Sequence, residues 1–212
     1  MRIFIGIDLD DAIRGKIAGF IEDVGGFAPE ARWVRSESLH ITLKFIGEQK
    51  EEQVAAIAER LRLVHSEPIE IRMAGYGFFP TPKAPRVFWI GIQAGTGLAA
   101  LAEQIDDATG ELDVPREKRE FNPHLTLARA GAPGKRSSGD PKWRKGDRPN
   151  SVFAVLQKRL AAMGAPDSGQ PDFGNMTADK FILYQSQLSQ AGSKYTKLER
   201  FPMPGGGAPV YP

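Results

Sequence analysis

The chain has 212 residues, 41% hydrophobic and 25% charged, with a net charge of +2 and a pI of about 8.8. That balance fits a soluble globular protein, long enough for one large domain or two small ones and only mildly basic. Cysteine is absent, which excludes disulfides, thiolate zinc sites and a cysteine nucleophile, and no apolar run approaches the length needed to cross a bilayer.

Arg2–Asp8 is an Ile- and Phe-rich run that predicts a buried strand rather than a signal peptide, so the expected location is the cytoplasm. Asp10 or Asp11 then caps a helix with Ile13, Ile17, Phe20, Ile21 and Val24 at helical spacing, stopped by Gly25-Gly26. Arg32-Trp33-Val34 is short and extended, Ser36–Ser38 a turn, and the run from Leu39 to Ile46 a strand ending at Gly47. A helix over Glu51–Val64 follows, with His65 at its end. Strands are expected from Pro68 to Met73 and from Arg86 to Ile92, separated by a Gly/Phe segment and a Pro-rich turn at 81–85. Thr96 should cap a helix reaching Gly110, and a strand should run from Phe121 to Arg129. Ala130–Asn150 is a long Gly/Pro/Ser loop in which Lys135 to Arg148 carries six Lys/Arg against two Asp; it is expected to be mobile, solvated or in contact with RNA. A helix holding Val152, Val155, Leu156 and Leu160 should close at Gly164, Pro166–Asn175 should be loop, and strands should cover Lys180–Tyr184 and Tyr195–Phe201. The Gly/Pro tail 202–212 is expected to be disordered.

Two of the three histidines share one pattern: Leu39-His40-Ile41-Thr42-Leu43 and Pro123-His124-Leu125-Thr126-Leu127. Residues i and i+2 of a strand point to one face, so each stretch presents an imidazole beside a hydroxyl. The elements around the two stretches come in a similar order, which predicts an α+β fold of two lobes related by a pseudo-twofold axis, each giving one His-strand to a central cleft. Cleaving a phosphodiester needs a base for the attacking oxygen and an acid for the leaving one, and two opposed imidazoles can supply both. Thr42 and Thr126 can donate to the non-bridging oxygens, held by a stiff β-branched side chain. Regular alternation would put Lys44 on the face of His40 and Thr42, whereas Arg129 reaches the site only if its strand bends or ends there. Metal binding is the rival chemistry, but two histidines without further ligands at suitable spacing fall short of a zinc site.

The paired His-x-Thr-Leu motifs resemble those of the 2H phosphoesterase superfamily, and more closely its RNA 2′,3′-cyclic phosphodiesterase (2′-5′ RNA ligase) family. The likeness extends to Met1-Arg2-Ile3-Phe4-Ile5 with Asp8, Arg32-Trp33-Val34, Ser38 to Glu48, Phe79-Pro80, Pro85 to Trp89, and Phe121 to Arg129. It closes at Ser186, Leu188, Gly192 and Tyr195. The resemblance implies a single bilobal domain over 1–201 with an insertion at 130–150, and metal-independent hydrolysis of an RNA 2′,3′-cyclic phosphate to a 2′-phosphate. It implies His40 as proton donor, His124 as proton acceptor, and Thr42, Thr126 and Arg129 on the phosphate. Symmetry of the motifs leaves the acid and base interchangeable on sequence grounds alone. Lys44, Phe45 and Tyr195 are further candidates for binding; Phe45 and Phe79 would stack a base or pack in the core. The expected partner is an RNA or oligonucleotide with a cyclic phosphate end, with no cofactor, membrane or obligate protein partner, acting as a monomer. Reverse 2′-5′ ligation would be secondary. The alternatives are another 2H activity, on a cyclic nucleotide or a 2′-5′ oligonucleotide, and a non-catalytic RNA- or nucleotide-binding module.

Overall fold

The structure, a computed structural model, describes residues 1–130, 151–163, 170–189 and 192–204. Of the loop expected over Ala130–Asn150, Ala130 is strand and 131–150 lie outside the described residues, as do the helix stop at Gly164 and the tail from 205. The chain order is β1 (Arg2–Asp8), α1 (Asp11–Gly25), β2 (Ala31–Trp33), a 3-10 turn (Ser36–Ser38), β3 (His40–Glu48), α2 (Glu51–Leu61), β4 (Ile69–Phe79) and β5 (Val87–Gln93). It continues with α3 (Gly97–Gly110), β6 (His124–Ala130), a 3-10 turn (Ser151–Phe153), α4 (Ala154–Met163), β7 (Asp172–Ala178), β8 (Lys180–Ser189) and β9 (Gly192–Pro202).

The strands form two antiparallel sheets, ordered β3-β1-β8-β9 and β2-β6-β5-β4-β7. The order β3-β1-β8-β9 is repeated by β6-β5-β4-β7, with β2 added at one edge; this is the expected pseudo-twofold. Each half lends strands to the other sheet, since β2 and β4 lie in the sheet of β5 and β6 while β8 and β9 lie in that of β1 and β3. The fold is therefore α+β with two lobes.

Alternation along β1 shows how the core is assigned. Ile3, Ile5 and Ile7 enter the main core, whereas Phe4 joins Ile182 and Tyr184 in a small separate cluster on the opposite face of the sheet. Helix α1 starts where Asp10 accepts from the Ile13 N–H at 2.7 Å, and buries Ile13, Ile17 and Val24. Its Phe20 packs on Phe88 of β5 and Phe173 of β7, so α1 covers the second sheet. Phe153, fully buried, reaches Phe78 and Phe88 of the same sheet. Helix α3 lies against β3, with α2 beside it. Burying such a large apolar side chain contributes about 1.5–3 kcal/mol.

Several boundaries differ from the sequence expectations. The Gly/Phe segment after Met73 continues β4, because Gly75 adopts a positive φ of 72° and lets the pairing with β5 resume at Tyr76. Part of the expected loop 166–175 is strand β7, which pairs along β4. Val155 is exposed, and Phe153 with Leu156 and Leu160 takes the inward positions instead. The side chain of Thr96 makes no capping bond to α3. The ordered chain also passes Phe201: Pro202 ends β9, and buried Met203 donates its N–H to the Asp179 carbonyl at 2.7 Å.

At Gly6, β1 and β3 approach closely. A Cβ there would lie 2.7 Å from the Ile41 carbonyl oxygen and 3.4 Å from Cδ2 of His40. Gly6→Ala should cost about 1–3 kcal/mol in urea unfolding, since neither strand can move without the other. Unchanged stability would contradict so tight an approach.

Candidate active site

The two His-strands come into contact where the sheets meet. On each, the histidine is fastened in the same way. Nδ1 of His40 lies 2.8 Å from the Ser38 carbonyl, and Nδ1 of His124 lies 2.8 Å from the Asn122 carbonyl. A carbonyl can only accept, so Nδ1 carries the hydrogen and Nε2 of the neutral ring holds a free lone pair. Thr42 and Thr126 follow two residues on, half-buried on the same faces, and among the described residues neither hydroxyl has a partner in the protein.

Beyond the threonines both strands bulge. β1 pairs Ile5 with Lys44 and Gly6 with Thr42, skipping Leu43; β5 pairs Phe88 with Ala128 and Trp89 with Thr126, skipping Leu127. The extra residue reverses the alternation. Arg129 therefore rejoins the face of His124 and Thr126, and Phe45 rejoins that of His40 and Thr42. The expectation for Lys44 is corrected by the same geometry. Its side chain turns to the opposite face, only 4% exposed, and pairs with Asp106 of α3 at 2.5 Å. Asp106 also accepts the Glu117 N–H at 3.0 Å; burial opposes its ionisation, but these bonds and the Lys44 charge hold its carboxyl below the usual range. Lys44 thus ties β3 to α3 and to the segment leading into β6, away from the cleft.

The walls differ between lobes. His40 lies 4.6 Å from the Phe4 ring and 5.0 Å, edge-on, from Tyr195, with Tyr184 at 5.9 Å. Phe45 stands 61% exposed beside Phe4, at 5.9 Å. His124 meets Phe79 edge-on at 4.9 Å and Trp89 at 6.4 Å. The structure thus gathers His40, Thr42, Phe45 and Tyr195 on one side and His124, Thr126, Arg129 and Phe79 on the other. His65 stands apart, exposed, with Nδ1 on the Leu63 carbonyl.

Burial, together with the charges of Arg129 and Arg14, pushes the His40 pKa down to about 4 against the opposing pull of the Ser38 carbonyl and Asp8. Burial and Arg129 also lower His124, against the Asn122 carbonyl. Arg129 thus acts on both imidazoles. Both are thereby neutral near pH 7, and an anion seated between them would favour protonation of either.

A supporting network was not legible in the motifs. Arg14 of α1 donates to Asp8, to the Leu9 carbonyl and to the Ser36 and Leu39 carbonyls, clamping the turn whose Ser38 carbonyl holds His40. Lys197 of β9 also pairs with Asp8. Burial alone would raise the Asp8 carboxyl, but Lys197 and Arg14 hold it below the usual range. An acid ending an apolar strand signals that a cation must answer it; nothing local says which.

Two such His-x-Thr strands facing across a two-lobed α+β fold define a 2H phosphoesterase. A family model described as "LigT like Phosphoesterase" matches residues 7–89 and 90–140, and the chain belongs to that family. It is 33% identical over 201 residues to the RNA 2′,3′-cyclic phosphodiesterase of Archaeoglobus fulgidus, covering 95% of this chain and 99% of that protein. It is 37% identical over 185 residues to the one of Aeropyrum pernix, covering 87% and 93%. Among solved structures, TT0787 of Thermus thermophilus aligns at a TM-score of 0.70 and 28% identity over 98% of this chain and 100% of that one. E. coli LigT complexed with 3′-AMP shares the fold, at a TM-score of 0.70 and 24% identity over 95% and 97%. This kinship supports hydrolase activity of the 2H phosphoesterase type. Among the described residues no helix is long and apolar enough to cross a membrane.

The lowered His40 pKa has a consequence for stability. The unfolded chain takes up this proton near pH 6.5 and the folded chain only near 4, so stability present above 6.5 is lost progressively as pH falls to about 4. The carboxylates of Asp8 and Asp106, lowered below 3.8, titrate under that window. Urea unfolding from pH 7 to 4.5 should show a shallower loss in His40→Asn than in the wild type, by up to about 1.4 kcal/mol per pH unit. Parallel slopes would contradict the burial argument.

Proposed function

We propose that the chain hydrolyses RNA 2′,3′-cyclic phosphate ends to 2′-phosphates without a metal, by acid/base catalysis between His40 and His124. The observation that carries this reading is the duplicated tether: both imidazoles are bonded through Nδ1–H to the carbonyl two residues back, leaving both Nε2 atoms available. The names of the Archaeoglobus and Aeropyrum relatives, both RNA 2′,3′-cyclic phosphodiesterases, support the substrate class.

In this reading the cyclic phosphate lies between the two imidazoles. His124, its pKa lowered by burial, accepts the proton of the attacking water at Nε2. His40, protonated at Nε2, passes its proton to the departing 3′-oxygen, and the P–O3′ bond breaks as the new P–O bond forms. The Thr42 and Thr126 hydroxyls and the Arg129 guanidinium take the non-bridging oxygens, where negative charge is concentrated. The substrate's negative charge supplies a field that favours the imidazolium over the neutral ring. With an RNA 5′-hydroxyl attacking in place of water, its proton passing to His124 as the P–O3′ bond breaks, the same step forms a 2′-5′ bond. Phe45 and Tyr195 flank the His40 side, where an aromatic surface suits the terminal base. The pairing of an acid and a base on one phosphorus favours an enzyme over a module that only binds nucleotides.

His40→Ala and His124→Ala should each lower kcat by at least about a hundredfold on an RNA with a cyclic phosphate end. The double variant should be little worse than either single one, because the two act as a unit. Near-wild-type turnover in either single variant would overturn the reading, and RNA binding without turnover in the wild type would favour the binding module.

A further inference from the structure

β2 is the edge strand of the second sheet and pairs with β6, setting Arg32 directly opposite Arg129. Directly opposed residues of antiparallel strands share a face. Trp33, the next residue, packs toward the core against Phe88, which places Arg32 on the cleft face with His124, Thr126 and Arg129. Both arginines are exposed, and among the described residues neither takes part in an ion pair or hydrogen bond with a carboxylate.

Like charges directly opposite one another are destabilising, and among the described residues no carboxylate pairs with either arginine to offset this. Some other arginines of the described structure do find acids: Arg72 with Asp172, Arg62 with Glu199 and Arg60 with Glu111. The uncompensated pair begins at the reacting centre and continues outward across one strand spacing, about 4.8 Å. Two long, flexible guanidinium side chains on that spacing can hold two successive phosphates of one nucleic acid strand.

We infer that Arg32 forms a second phosphate subsite, which takes the phosphate on the 5′-oxygen of the terminal nucleotide while Arg129 serves the cyclic phosphate. This rests on the phosphodiesterase reading above and extends it. The substrate it selects is the end of an RNA chain, with an internal phosphodiester next to the cyclic one, in preference to a free 2′,3′-cyclic mononucleotide. Arg32 is a specificity residue, placed by the same connection that carries the chain through Ser36–Ser38 into His40.

The test compares kcat/KM for a 2′,3′-cyclic mononucleotide, the same nucleotide bearing a 5′-phosphate, and a dinucleotide with a cyclic phosphate end, in wild type and Arg32→Ala. The wild type should prefer the dinucleotide to the mononucleotide, and the ratio of the two should fall about tenfold in the variant, the scale of a charge-assisted hydrogen bond. A methylphosphonate in place of the internal phosphodiester should lower wild-type kcat/KM to a similar extent, with little further loss in Arg32→Ala. A 5′-phosphorylated mononucleotide that matches the dinucleotide assigns the subsite to any 5′-phosphate; one that falls short assigns it to the diester of a chain. An unchanged dinucleotide-to-mononucleotide ratio in the variant overturns the subsite. If the wild type turns over none of the three, the hydrolytic reading fails, and the subsite is then judged by fluorescence anisotropy on the labelled dinucleotide and mononucleotide. There a selective weakening of the dinucleotide supports Arg32, and equal weakening or none refutes it.

Discussion

The site depends on one hydrogen bond made twice: imidazole Nδ1–H to the carbonyl two residues upstream. A histidine on a strand would otherwise be free to turn about two side-chain torsions and to hold its proton on either nitrogen. The bond removes both freedoms and leaves Nε2 as the only reactive atom. It works only if the donor's own approach is rigid, and on the His40 side that rigidity comes from outside the motif. Arg14 reaches from α1 to bind Asp8 and the carbonyls of Ser36 and Leu39, so the turn before His40 is held to β1 and α1 together. On the His124 side, Asp106 accepts the Glu117 N–H while paired to Lys44, linking the approach to β6 with β3.

The pseudo-twofold repeats the skeleton and varies its contents. The registers of β3 on β1 and of β6 on β5 are the same, including the skipped leucine at 43 and 127. At equivalent positions, however, Phe45 stands where the other lobe has Arg129, and Gly6 where it has Trp89. At the position after the bulge the His40 side presents an exposed ring and the His124 side a guanidinium, while Phe79 and Trp89 also flank His124. The two halves thus differ in the groups they set beside their histidines. The histidines alone carry no such distinction.

Much of this was legible in the residues. Periodicity located α1, α2 and α3 and the strands that carry the motifs, and the repeated tetrapeptide singled out His40, Thr42, His124 and Thr126. Alternation failed at Lys44 and left Arg129 conditional, and both have one cause. A bulge adds a residue without leaving a mark such as glycine or proline, since Leu43 and Leu127 are ordinary strand formers. Strand β7 was hidden because Asp172-Phe173-Gly174-Asn175 has the composition of a loop; Gly174 at a φ of 99° and the pairing with β4 make it a strand. The Asp8–Arg14 contact joins a strand to a helix, and Lys197 comes from 189 residues further along, a distance over which sequence pattern carries no pairing information.

The most direct test of the account is to incubate the protein in EDTA with a short RNA ending in a 2′,3′-cyclic phosphate and to resolve the products as 2′- or 3′-phosphates. Two imidazoles acting without a metal, with His40 protonating the 3′-oxygen, predict undiminished turnover and a 2′-phosphate. Loss of activity restored by Zn²⁺, or a 3′-phosphate product, would contradict it.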